Sequence, residues 1–382
     1  MKVANYRIGE PLKINSREVG FSFWPAKKKS TKFSMQPRVF ASDPFNVIRT
    51  SISQSDASKK RIKEALAYFD QAKDFYQASK YANVENAKPL LVYYSFHNLI
   101  KCLLLMRGRY VTISDSHHGL SLKFSTLGNK PTTSKLIGHK SRTGNPPNLF
   151  EDFYKEYDPE GFEEQRFEFS MKDMFSQVLV GHRLWCAAAG KKERFINIPE
   201  IEYLHDKSGG FIWAKMNLPK SEYRRLAYTQ WDLLNLTYLS DHWRVVKCEE
   251  LRNGSLMERG SDLISLELMS PISTGRPSEK INKLSSLVSD HLWSSVSTQK
   301  PFRKHYIYLS EDERTWPQVC SIYGVFFYLG SLARYRPQKL KHYLDGNFGA
   351  FISEFIENQP DQWLYLMASE FAEQEVAKAA IV

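Results

Sequence analysis

The stretch that most constrains this chain is residues 87–105, AKPLLVYYSFHNLIKCLLL, an apolar run threaded by a few polar side chains. At 3.6 residues per turn, Tyr94, His97, Asn98 and Lys101 fall on one face, while Leu91, Phe96, Leu99, Leu103 and Leu105 spread around the rest. This pattern predicts a helix buried in a core. Its polar groups need partners, since an unpaired buried polar group costs roughly 1–3 kcal/mol. The polar face is therefore either a structural hydrogen-bond network or a site. Tyr93, Tyr94, Ser95, His97, Asn98 and Lys101 interrupt the run over 89–106, which is read as core and not as a membrane span.

At 382 residues the chain is long enough for two ordinary domains, or for one core with a large insertion. Aromatic residues make up 14% and occur in every region, which argues against large-scale disorder. The start, MKVANYR, is not followed by an apolar stretch and does not read as a signal peptide. Cys102, Cys186, Cys248 and Cys320 lack paired spacing and read as reduced, buried thiols of a cytoplasmic protein. The net charge of +11 is uneven: residues 1–150 carry 25 Lys and Arg against 9 Asp and Glu, whereas 151–382 carry 28 against 33. A basic excess confined to one part points to a polyanion such as RNA or DNA, to an acidic partner, or to a solvated surface.

Residues 1–54 read as an N-terminal arm of loops and short strands that packs Phe21, Phe23 and Trp24. Its run Lys27, Lys28 and Lys29 is either solvated or in contact with phosphate. Over 55–81, Ile62, Leu66, Phe69, Ala72, Phe75 and Tyr76 recur at helical steps, predicting a helix with one buried stripe. Pro89 then opens the second helix, which ends near Arg107-Gly108-Arg109, ahead of a β-rich Tyr110-Val111-Thr112-Ile113. Residues 121–150 read as a long polar loop. Further helices are expected over 171–189 and 221–239, and a hairpin from 196–204 and 211–218 through Asp206-Lys207-Ser208-Gly209-Gly210. Strands follow at 243–248, 263–268 and 305–309, with a turn at Asn253-Gly254 and a short helix within 273–297. Closing helices are expected at 316–335, 340–345, 348–357 and 361–380. The expected class is α+β and predominantly helical, with a core from 55–194 and 311–382 interrupted by a β-containing insertion at 195–310.

The segment AKPLL at 87–91 with Tyr93-Tyr94, Asn98-Leu99 and Lys101, then His118-Gly119-Leu120, then SLARYRP at 331–337, resembles the YaaC-like family of bacterial proteins. The resemblance covers most of the chain and implies a bacterial cytoplasmic protein, with no settled activity to carry over. The long helical pair is also similar to the HEPN class of helical bundles, many of which act as ribonucleases in toxin and phage-defence systems. That likeness implies a HEPN-like helical core and a metal-independent ribonuclease in phage defence or stress.

HEPN ribonucleases resemble one another in an Arg followed a few residues later by a His, on a helix facing a dimer partner. The imidazole takes the proton of a ribose 2′-hydroxyl and the guanidinium holds the phosphate. Arg336 and His342 have such a spacing, although Pro337 directly follows the Arg, where that class usually has a polar residue. A second candidate is His118, whose turn after the core helix could set an imidazole against Tyr94, Asn98 or Lys101. Alternatively, His118 bonds the helix end and Gly119 only supplies a positive φ. Candidate catalytic residues are thus Tyr94, Asn98, Lys101, His118, Arg336 and His342. Candidate nucleic-acid contacts are Lys27, Lys28, Lys29, Arg107, Arg109, Lys140, Arg142 and Arg334. Walker, His-Glu-x-x-His, Gly-x-Ser-x-Gly and Cys-x-x-Cys patterns are absent from the sequence, so no metal and no cofactor is expected. The expected partners are RNA or DNA, or a protein docking on the 195–310 insertion, in a homodimer or hetero-complex and without a membrane. The alternative function is a non-enzymatic scaffold or partner-binding subunit.

Overall fold

The computed structural model describes residues 7–379 except 15, 25–37, 82–85, 125–129, 142–145, 159, 163, 209, 247–248, 253–254, 259–261, 300–303 and 311–314. The chain is mixed α+β and divides into two compact units. One comprises Ala41–Glu193, Trp316–Ala372 and Lys378–Val382, and the other Met1–Phe40, Arg194–Thr315 and Glu373–Ala377.

The first unit is built on the central helix, Lys88–Met106. Pro89 occupies its first turn, where a missing N–H is no loss, and its end is marked by Arg107 as C-cap and Gly108 at φ +76°. Among the described residues this is the one helix long and apolar enough to cross a bilayer, but 67% of its apolar window is buried inside the protein. Helices Lys59–Tyr81, Gln318–Tyr335 and Gly349–Ala372 pack against it. Phe96 stacks on Trp363 at 3.8 Å and meets Phe326 edge-on at 5.2 Å, while the Trp363 indole N–H donates to the Val319 carbonyl. Such ring pairs add about 0.5–1.5 kcal/mol beyond the area they bury. Close approach of Gln318–Tyr335 to the central helix depends on Gly330, where a Cβ would lie 3.2 Å from that of Tyr93.

Several boundaries differ from the sequence expectation, each for a local reason. Pro44–Ser53 is a helix within the expected arm; Asp43 caps it by accepting the Phe45 N–H, and Pro44 sits in its first turn. Tyr110-Val111-Thr112-Ile113 forms no strand, because the Thr112 hydroxyl and the Ile113 N–H both donate to the Glu64 carboxylate. The strand begins later, at Leu120–Lys123, and pairs with Lys135–His139, which in turn pairs with Arg166–Ser170, all antiparallel. Much of the expected 121–150 loop is therefore sheet. Gly181, at φ +84°, divides the expected 171–189 helix into Met171–Ser176 and His182–Ala189. The last two of the expected closing helices, 348–357 and 361–380, are one, Gly349–Ala372, running through Pro360.

In the second unit, five strands are ordered Glu10–Pro11, Glu200–His205, Ile212–Pro219, Leu263–Leu268 and Trp243–Val246. Asp206 closes the expected hairpin by accepting the Phe211 N–H at 2.8 Å. On one sheet face Glu202, Lys215, Glu267 and Arg244 stand opposite one another across the strands, alternating in charge. Glu267, fully buried, pairs with both Arg244 and Arg7. Phe195–Ile198 leaves this sheet and pairs with Lys304–Tyr308. The expected 221–239 helix is reduced to Lys220–Arg225 and Asp232–Asn235, with Ala227 at φ +57° between them. Phe23 of the arm stacks on Trp293 at 4.3 Å, next to the helix Pro277–Leu292. Cys102, Cys186 and Cys320 are buried free thiols, and Cys248 lies outside the described residues.

The turn before Leu120–Lys123 requires glycine. Gly119 has φ +77°, and a Cβ there would lie 1.8 Å from Oδ1 of Asn148, which caps Leu149–Tyr154 by accepting the Glu151 N–H. Gly119→Ala should therefore destabilise the protein by about 2 kcal/mol or more in urea unfolding. An unchanged unfolding midpoint would contradict this packing.

Candidate functional site

The polar face of the central helix covers roughly 100° of arc from His97 to Asn98, at about 100° per residue. That is wide enough to address two neighbouring helices, and it does so. Towards Lys59–Tyr81, the Asn98 side-chain N–H donates to Gln71 Oε1 at 2.7 Å, and the Lys101 ammonium lies 4.9 Å from the centre of the Tyr68 ring. Towards Gln318–Tyr335, the Tyr323 hydroxyl lies 3.1 Å from His97 Nδ1 and bonds Tyr93, and the Arg334 guanidinium donates to the Tyr94 hydroxyl at 3.0 Å.

At the middle of this array lie neutral groups, the His97 imidazole and the phenols of Tyr93 and Tyr323, with Lys101 and Arg334 at its edges. Burial, helped by Lys101 and His118, pulls the His97 imidazole down to about 3, so it is neutral at physiological pH. Burial raises the phenols of Tyr93 and Tyr323, which stay protonated, and lowers the Lys101 ammonium. His118 lies at the surface with its ring 5.3 Å from that of Phe327, and desolvation together with His117 holds it below the usual imidazole range. Its Nδ1 accepts the Leu120 N–H at 3.3 Å, which places the proton of the neutral ring on Nε2. In that state His118 is a donor, not a base. The array can hold a helix pair in register and offer hydroxyl and imidazole N–H groups. A proton acceptor poised near neutrality is not evident in it.

The predicted residues do not form one cluster. Tyr94 meets Arg334, whereas Asn98 and Lys101 engage the Lys59–Tyr81 helix instead of the His118 turn. Arg336 and His342 lie at opposite ends of the short helix Pro337–Leu344, both exposed, with the Arg336 guanidinium 4.3 Å from the centre of the Phe124 ring. Arg107 pairs with Glu370 and Glu156, and Arg109 with Glu156, so both cations are already matched by carboxylates. Lys140 is half-buried beside the Lys135–His139 strand. Lys27, Lys28, Lys29 and Arg142 lie outside the described residues. Sequence reasoning passed over Tyr93, Tyr323 and Phe124. The signal for Tyr323 is a phenol within a mostly apolar helix, one that Tyr328 shares, and for Phe124 there is none. Among the described residues, no group of three or more His, Cys, Asp or Glu side chains is arranged to hold a metal ion.

These features define a mixed α+β protein organised on a buried helix, with a neutral His–Tyr centre on one side and a cationic helix end beside it. The profile of the YaaC-like Protein family matches residues 31–371, and the chain belongs to that family. No curated protein and no solved structure matches it.

Because His97 is neutral when folded but protonates below about 6.5 when unfolded, the unfolded chain binds the extra proton. Stability from this source is complete above pH 6.5 and is lost as pH falls towards 3. Urea unfolding between pH 7.5 and 5 should show a decline that is shallower in His97→Asn, by at most about 1.4 kcal/mol per pH unit. Identical pH slopes in the two proteins would contradict the assignment.

Proposed function

We propose that this YaaC-like protein binds nucleic acid through the cationic end of its helical unit. The observation that carries the reading is a meeting of two carboxylate-free segments. Residues 116–150 and 314–344 contain no Asp or Glu, yet each contributes five Lys or Arg. They come together at Phe124, whose ring has Arg336 at 4.3 Å and the Lys339 ammonium at 5.3 Å. Arg334, Arg336 and Lys341 are exposed there, and no acidic side chain interrupts the chain until Asp345. Elsewhere in the unit Arg107 and Arg109 sit with Glu156, and within the first segment Lys123 and Lys135 are matched by Glu168 from the adjoining strand, whereas the cations at Phe124 have no ion pair among the described residues. Cations without such matches favour a polyanion.

Binding is a better reading than HEPN-like cleavage. A ribonuclease would need an imidazole base and an arginine at the same phosphate. His97 is held neutral inside the helix pair, and His118 spends Nδ1 on a backbone N–H. Arg336 lies on Phe124, with His342 beside Tyr343 at the other end of a short helix.

Fluorescence anisotropy of the purified protein with labelled RNA and DNA, over a range of salt concentrations, tests the reading. Affinity should fall linearly on a log–log plot, and an Arg334→Ala/Arg336→Ala/Lys339→Ala variant should bind more weakly with its slope reduced by about one per lost phosphate contact. Absence of binding at low salt, or a slope unchanged in the variant, would overturn it.

A further inference from the structure

Resting on the nucleic-acid reading, we propose that Tyr335 is a base-stacking platform that directs this surface to single-stranded nucleic acid. An exposed aromatic residue by itself needs no explanation. Tyr335, however, is 67% exposed at the last position of the Gln318–Tyr335 helix and is held from behind. The Arg334 guanidinium packs 4.9 Å from the centre of its ring, and that guanidinium is itself fixed by donating to the Tyr94 hydroxyl at 3.0 Å. Tyr94 in turn stacks on Phe75 at 5.4 Å and an interplanar angle of 28°. The ring at the surface is thus the outer member of a chain of planar groups anchored in the helix pair, ordered before any ligand arrives.

Just beyond Tyr335 in sequence, the same design repeats at lower exposure, with Arg336 and Lys339 placed on Phe124. A planar ring with cations close beside it matches a nucleotide, whose base stacks while its phosphate meets the guanidinium. A duplex offers the cations its phosphates but keeps its bases stacked internally, so it cannot use the ring. An acidic peptide likewise satisfies the cations and leaves Tyr335 unused.

The test compares Tyr335→Ala and Tyr335→Phe in the full chain, using a labelled uridine-rich 12-mer RNA, a duplex RNA of the same length and an unlabelled polyglutamate competitor. Tyr335→Ala should weaken binding of the single strand by roughly fivefold to a hundredfold, as expected for one lost base–aromatic stack. Tyr335→Phe should bind as the parent does, and neither change should alter duplex binding beyond about twofold. If Tyr335→Ala leaves single-strand affinity unchanged, or weakens single strand and duplex equally, the stacking proposal falls while the nucleic-acid reading stands. If polyglutamate displaces the RNA as well as unlabelled RNA does at equal charge, the surface is a general acidic-partner site and the proposal falls. If neither RNA binds, both fall together.

Discussion

A helix buried on nearly every side has to find partners for each polar group it carries, and the helical unit is arranged around that requirement. The Lys88–Met106 helix turns Asn98 and Lys101 towards one neighbour, and Tyr93, Tyr94 and His97 towards another. Without Gln71, Tyr323 and Arg334 in place, several of those groups would lose their hydrogen bonds, at roughly 1–3 kcal/mol for each one buried. The Phe96–Trp363 stack and the close approach at Gly330 supply the apolar packing that brings those partners within reach.

This arrangement separates two electrostatic environments a few residues apart. Between the helices, burial, with Lys101 and His118 nearby, keeps His97 neutral, and the phenols around it stay protonated. At the helix end, guanidinium and ammonium groups remain charged at the surface and rest on aromatic rings. Tyr94 joins the two, with its ring packed on Phe75 and its hydroxyl accepting from Arg334. The buried centre is best understood as the support that orders the cationic end. Under the proposed function this end serves recognition, and the buried centre serves to hold it in place.

The central helix, its proline start and its end at Arg107 were legible because a long apolar period and end signals are local. The tie between Tyr94 and Arg334 could also be anticipated, since both belong to short polar interruptions in apolar helices. The placement of Asn98 and Lys101 was not legible: periodicity gives a face, and only the packed neighbours decide that this face is shared by two helices. The Leu120–Lys123 and Lys135–His139 strands looked like loop because the third strand, Arg166–Ser170, lies some 30 residues further on. The expected break between 357 and 361 is absent, and Gly349–Ala372 continues through Pro360. The role of Phe124 depends on a contact with Arg336, more than 200 residues away, that no local pattern encodes.

The most direct measurement of the central claim is photo-crosslinking of a 4-thiouridine-containing single-stranded RNA to the full chain, with crosslinked peptides identified by mass spectrometry. The account predicts adducts concentrated on the peptides containing Phe124 and Tyr335. Adducts confined to residues 195–310, or none at these two rings while RNA remains bound, would contradict it.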